Sequence, residues 1–187
     1  ISNLEFQLGD VASVALGEEK FDLITSRFGV MFFDDPVVAF SKLHKAMKAS
    51  GRLIFICWQS IEKNPWMGEP AKATFEILPR PADAGPADPT APGPFSLGDA
   101  DHLQTILQSA GFNNIDLQSI DIPITMGSLD DAVKFMMRLG PAADAIQAAT
   151  EEEKESVAIA IRNVLGKYDR DGGVSAPATT WIVKATK

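Results

Sequence analysis

Two places in this 187-residue chain set polar and aromatic side chains where α/β proteins meet their ligands. Asp10 follows Leu4-Glu5-Phe6-Gln7-Leu8, whose alternation predicts a short half-buried strand. Ser26-Arg27-Phe28-Gly29 closes a second predicted strand, Phe21-Asp22-Leu23-Ile24-Thr25-Ser26. Ligands of open α/β sheets lie beyond the carboxyl ends of the strands. A carboxylate there accepts a hydrogen bond from an exocyclic amine, and an aromatic ring covers a flat one. Asp10 also fits a plain turn aspartate after Gly9.

Other chemistry is sparse. The sequence holds no Gly-x-Gly-x-x-Gly, no P-loop and no Gly-x-Ser-x-Gly elbow. His44 and His102 fall on predicted helices and read as solvated surface histidines, and Cys57 reads as a small hydrophobe within a strand. Glu151-Glu152-Glu153 reads as a solvated helix start. One cysteine and two histidines exclude an internal disulfide and a cysteine-rich zinc site, so no metal is expected. A formal charge of −8 argues against nucleic acid as a partner. No apolar run approaches the ~18–20 residues of a membrane span, and a cytoplasmic location is expected.

The elements that must carry these residues follow from spacing. Asp35 before Pro36 starts a helix over 36–49, with Phe40, Leu43 and Met47 on one face and Ser50-Gly51 as its stop. Leu53–Trp58 is an uninterrupted apolar run, which predicts a strand buried on both faces of a parallel sheet. Residues 21–58 therefore read as a strand–helix–strand unit. Eight of the 12 prolines lie between Pro65 and Pro94, which excludes 79–94 from sheet or helix. Residues 59–95 are read as a Pro-rich loop or lid. Ser96-Leu97-Gly98-Asp99 resembles a capping box ahead of Leu103, Ile106, Leu107 and Ala110, and residues 114–126 carry strand character. Ser128 with Asp131, and Thr150 with Glu153, cap two helices within a helical insertion at 127–170. Thr180–Ala185 is a final strand after the Asp171-Gly172-Gly173 turn. The expectation is a single domain over 1–187.

These segments, in this order, resemble class I S-adenosylmethionine-dependent methyltransferases, particularly the ubiquinone/menaquinone-methyltransferase-like group. The resemblance runs through Gly9-Asp10, Phe21–Ser26, Lys48-Ala49-Ser50-Gly51-Arg52-Leu53, "LQSAGF" and "TTWIVKATK". It implies an α/β, Rossmann-like class I methyltransferase sheet, partial, with a final antiparallel strand. By it, Asp10 takes the adenine amino group of S-adenosylmethionine and the Val11 amide meets the ring. Ser26, Arg27 and Phe28 at the next strand end are the further cofactor candidates. Met31, Trp58, Asn64 and Trp66 are substrate candidates, each aromatic also reading as core packing. The family's glycine loop and ribose-binding acid are expected before Ile1, so the chain corresponds to the last two-thirds of such an enzyme.

The implied activity is methyl transfer to a small organic molecule, impaired here by the missing motif; the alternative is a non-catalytic binding or dimerisation module. Methyl transfer from a sulfonium needs alignment more than acid–base chemistry, and no catalytic residue is assigned. With the strands before Ile1 missing, strand 21–26 would present a bare edge. A two-fold homodimer burying residues near 4–8 and 21–33 is expected.

Overall fold

A computed structural model describes residues 3–78 and 88–187, so part of the expected loop, 79–87, lies outside the described residues. The chain divides into two compact units, residues 1–57, 91–118 and 181–187 in the first and 58–90 and 119–180 in the second. The strands β1 (Phe21–Arg27), β2 (Met47–Trp58), β3 (Asn113–Thr125), β4 (Asp169–Arg170) and β5 (Gly173–Thr186) form one sheet in the order β1-β2-β5-β3, with β4 on β5. β1 and β2 are parallel, Leu23 opposite Arg52 and Arg27 opposite Ile56. Met126 N–H donates to Val174 O, and the Thr179 hydroxyl donates to Asp121. β5 therefore runs antiparallel to β3, and the sheet is mixed as expected.

In the first unit, helix α1 (Pro36–Ala46) joins β1 to β2. Asp35 caps it as the sequence predicts, its carboxylate accepting from Val38 N–H at 3.0 Å, with Pro36 in the first turn. The buried face is Ala39, Phe40, Leu43 and Ala46. Phe40 lies 5.5 Å from Phe55 of β2, 5.6 Å from Phe33 and 6.4 Å from Phe112, ring centre to ring centre. Helix α3 (Ala100–Ser109) packs on α1 and buries Leu103, Ile106 and Leu107.

Four expectations for this unit need correction. Residues 4–8 form no strand, and Phe6 is 88% exposed. Alternation alone does not make a strand; a hydrogen-bonding neighbour does, and among the described residues 4–8 have none. Helix α1 stops at Ala46, earlier than 49, because Met47 already pairs opposite Phe21. The ladder is irregular between Phe21 and Leu23. A Cβ on Gly51 would sit 2.8 Å from Lys48 O and 3.1 Å from Phe21 O, so Gly51 permits a tight bulge rather than a helix stop. On β2, Leu53, Phe55 and Cys57 are buried while Ile54, Ile56 and Trp58 are only half-buried, so one face is covered, not both. Asp99, not Ser96, caps α3 by accepting from His102 N–H at 2.8 Å. The Ser96 hydroxyl is taken by Met31 O at 2.6 Å.

In the second unit, helix α2 (Pro65–Ile77) occupies part of the segment read as a Pro-rich loop. Pro65 stands in its first turn, and Trp66, Met67, Pro70, Ala71 and Thr74 are buried. Helices α4 (Leu129–Met136), α5 (Ala143–Ala148) and α6 (Glu151–Gly166) lie between β3 and β4 in the chain. α6 packs on both α2 and α4, burying Val157, Ile161 and Leu165. Lys167 pairs with Glu69 at 2.7 Å, and Arg162 pairs with Asp130. Thr150 and Glu153 form the predicted capping box. At the β4–β5 turn a Cβ on Gly173 would lie 2.2 Å from Gly127 O, and its φ is +112°; only glycine fits there.

Phe40→Ala should cost about 3–5 kcal/mol of folding stability, the range for a buried aromatic, read by chemical denaturation. A loss below about 1 kcal/mol would show that the Phe33, Phe55 and Phe112 rings do not depend on it. Thr150→Ala should cost ~1 kcal/mol by the same measurement, through loss of the α6 cap.

Candidate functional site

The site is built first on the turn at Asp10. The Asp10 carbonyl accepts from Ser13 N–H at 3.0 Å and Val14 N–H at 2.7 Å. Its carboxylate Oδ1 accepts from Ala12 N–H at 3.0 Å. Aspartate suits this role because its short side chain bonds the backbone two residues on. Among the described residues, Asp10 Oδ2 and the Val11 N–H make no hydrogen bond. The turn therefore offers an acceptor and a donor on adjacent residues.

The second group stands at the carboxyl end of β1. Phe28 N–H donates to Ile56 O at 3.0 Å, carrying the parallel ladder one residue past Arg27. Phe28 adopts φ +57°, the left-handed region that an aromatic residue enters only at a cost. The Arg27 guanidinium lies 5.2 Å from the centre of its ring. Ser26 and Phe28 are half-buried and Arg27 is exposed. Met31, three residues on, is buried, and its carbonyl accepts from Gly93 N–H and the Ser96 hydroxyl. Its side chain belongs to the core of the first unit.

In the second unit Trp58 and Trp66 stand with ring centres 5.2 Å apart. Trp66 is buried and Trp58 half-buried. Asn64 is buried with every polar atom engaged. Its amide donates to the carbonyls of Gln59, Ser60 and Thr179 at 3.0–3.2 Å, and its oxygen accepts from Thr179 N–H and Trp66 Nε1–H. Asn64 thus fixes Trp66. An open groove of about 480 Å³ in this unit is lined by Asp121, Ile122, Pro123, Ser175 and Pro177 among others, and none of the predicted site residues lines it.

The remaining reactive groups are quiet. Burial pushes the Cys57 thiol up to about 12, so it is no thiolate nucleophile. His44 stands edge-on to Phe112 with centres 5.1 Å apart. Desolvation first, and the Lys187 charge second, hold it below the ordinary histidine range. It is half-buried and packed on Phe112 rather than the solvated histidine expected. Among the described residues no cluster of histidine, cysteine or acid could hold a metal, and no helix is long and apolar enough to cross a membrane.

Sequence reasoning missed Lys42 and Gln59. Lys42 donates to Ala12 O and Val14 O behind the Asp10 turn. Gln59 is fully buried, donating to the Ser119 hydroxyl and Thr180 O while accepting from Lys63. A lysine on a helix and a polar residue after a strand carry no local sign of such partners.

Residues 1–55, which span the Asp10 turn, β1, α1 and most of β2, match the family described as "Methyltransferase domain". The chain is 26% identical over 125 residues to the ubiquinone/menaquinone biosynthesis C-methyltransferase UbiE of Escherichia coli O1:K1, covering 64% of this chain and 50% of that protein. It is 22% identical over 138 residues to the demethylmenaquinone methyltransferase of Staphylococcus carnosus, covering 64% and 52%. The chain thus spans about half the length of the curated relatives it matches. Among solved structures, a putative methyltransferase from Bacillus halodurans superposes with a TM-score of 0.59 at 18% identity, over 100% of this chain and 78% of that one. The YcgJ protein from Bacillus subtilis gives 0.58 at 17%, over 99% and 71%. The match across residues 1–55 and the fold of the chain together mark it as similar to the ubiquinone/menaquinone-type methyltransferases and as having the Rossmann-like fold of the class I methyltransferases.

Proposed function

We propose that the chain belongs to an S-adenosylmethionine-dependent methyltransferase acting on a small organic molecule. The observation that carries this reading is the unengaged acceptor–donor pair of Asp10 Oδ2 and Val11 N–H within a segment matching the methyltransferase domain. Asp10 accepts from the adenine amine and Val11 donates to the adjoining ring nitrogen. Ser26, Arg27 and the left-handed Phe28 form the second contact, at a strand end where ligands of such sheets lie. When bound, the sulfonium supplies an electrophilic methyl group. The chain's own part is then to orient the reactants and exclude water.

On the acceptor side Trp58 is the aromatic with accessible surface, held by Trp66 and, through it, Asn64. Met31 supports from within the core of its own unit. The acidic chain, at −8, suits a small organic acceptor better than a polyanion.

A second reading, a non-catalytic association module, draws on the exposed sheet edge. β1 is the edge strand, and Phe21 and Leu23 on it are exposed, as are Leu4, Phe6 and Leu8 ahead of it. An open apolar edge is a template for pairing. A two-fold homodimer through residues near 4–8 and 21–33 satisfies either reading.

Calorimetric titration with S-adenosylhomocysteine tests the first reading. Binding is expected, and Asp10→Ala should weaken it by about 1–3 kcal/mol, the range for a charged hydrogen bond. No binding by this chain, alongside binding by a longer form that includes residues before Ile1, would favour the association module. Sedimentation velocity at micromolar concentration should give a dimer that Leu23→Lys, a charge on the edge strand, converts to monomer. A monomer at all concentrations would remove the homodimer.

A further inference from the structure

The turn that carries Asp10 has little of its own to hold it. Residues 3–10 are exposed throughout, and residues 11–18 are at most half-buried. Among the described residues, one side chain makes the hydrogen bonds that join residues 3–18 to the rest of the chain. The Lys42 ammonium donates to Ala12 O and Val14 O, each at 3.0 Å, across 30 and 28 residues of sequence. The next anchors are backbone ones. Glu19 N–H and Lys20 N–H donate to Lys45 O and Ala46 O at the end of α1.

Lys42 is well suited to the task. It stands on α1 beside Leu43 and two residues from Phe40, both buried, so the helix beneath it is fixed by the core. Its stem is half-buried, which limits how far the ammonium can wander. Asp10 gathers the turn's N–H groups at one end, from Ala12, Ser13 and Val14. Lys42 gathers two of its carbonyls at the other, where a cation complements the peptide dipoles.

We infer that Lys42 is a positioning residue for the nucleobase: it holds the Asp10–Val14 turn in the one arrangement that keeps Asp10 Oδ2 and Val11 N–H together as an acceptor–donor pair. It acts through the turn and not on the ligand. Without it, binding would carry the entropy cost of ordering the turn. The inference rests on the cofactor reading above.

Two measurements on the 187-residue chain separate the clamp from the ligand. In the ligand-free protein, Lys42→Met should speed amide hydrogen exchange at Ser13 and Val14 by roughly tenfold or more, while Lys42→Arg, which keeps a donor, should restore much of the protection. In titration, Lys42→Met should weaken S-adenosylhomocysteine by about tenfold, with Lys45→Met, an exposed lysine on the same helix, as the control for lost charge. The same variant should leave S-inosylhomocysteine, which lacks the amine that Asp10 accepts from, within about twofold of its wild-type affinity. A simple structural weakening would lower both ligands alike, and that outcome overturns the positioning role. Unchanged exchange in Lys42→Met overturns the clamp whatever the ligand does. A wild-type chain that binds no S-adenosylhomocysteine overturns the cofactor reading and this role with it, whereas the exchange result would still stand for the clamp alone.

Discussion

The first unit depends on how Phe40 is packed. One side chain, fully buried, meets Phe33, Phe55 and Phe112, and those three rings come from the segment after β1, from β2 and from the approach to β3. Aromatic rings at these separations add orientation to the area they bury. Because Phe40 sits mid-way along α1, fixing its ring fixes the helix against β2. The helix then carries Lys42 to the back of the Asp10 turn and ends where Glu19 and Lys20 can bond its last carbonyls. The geometry of the candidate cofactor turn is therefore a consequence of an apolar contact.

In the second unit the corresponding constraint is polar. Asn64 is buried and uses its whole hydrogen-bonding capacity on Gln59, Ser60, Thr179 and Trp66. Removing such a group would leave several backbone partners unsatisfied, which is costlier than the bonds themselves suggest. A network with every member paired also defines one arrangement rather than several. Gln59 repeats the pattern one turn earlier, with Ser119, Thr180 and Lys63. The polar residues between β2 and α2 thus act as a hinge pin for Trp66 and the first turn of α2. Glu69, on the same helix, keeps one carboxylate oxygen bonded to Lys167 and Tyr168.

Strain and exposure are distributed unevenly. Phe28 holds a left-handed backbone at the end of β1, where Phe21, Leu23, Thr25 and Arg27 are exposed and Ile24 and Ser26, on the opposite face, are half-buried. Backbone strain of that kind persists only where surrounding bonds over-determine it, as the Phe28 N–H bond to Ile56 O does. At this strand end Ser26 and Phe28 are half-buried and Arg27 is exposed, whereas Met31, Asn64 and Cys57 are buried.

Local signals in the sequence determined much of this protein. Asp35-Pro36 and Thr150-x-x-Glu153 announce their helices because a cap needs only its own four residues. The parallel β1–α1–β2 unit follows from one helical period between two apolar runs, and the Asp10 turn from an aspartate bonding the backbone beside it. What only the tertiary structure decided needed a distant partner. Residues 4–8 alternate like a strand, yet no neighbour pairs with them. Met47 continues the helical spacing of Phe40 and Leu43, yet it pairs opposite Phe21 in the sheet. Ser96 looks like a cap but gives its hydroxyl to Met31 O, 65 residues away in sequence. Nothing near Lys42 in the chain announces the two carbonyls it holds. Caps and turns close within a few residues and can be read in order along the chain; a ladder, a buried polar bond or a side-chain clamp exists only once folding has brought both ends together.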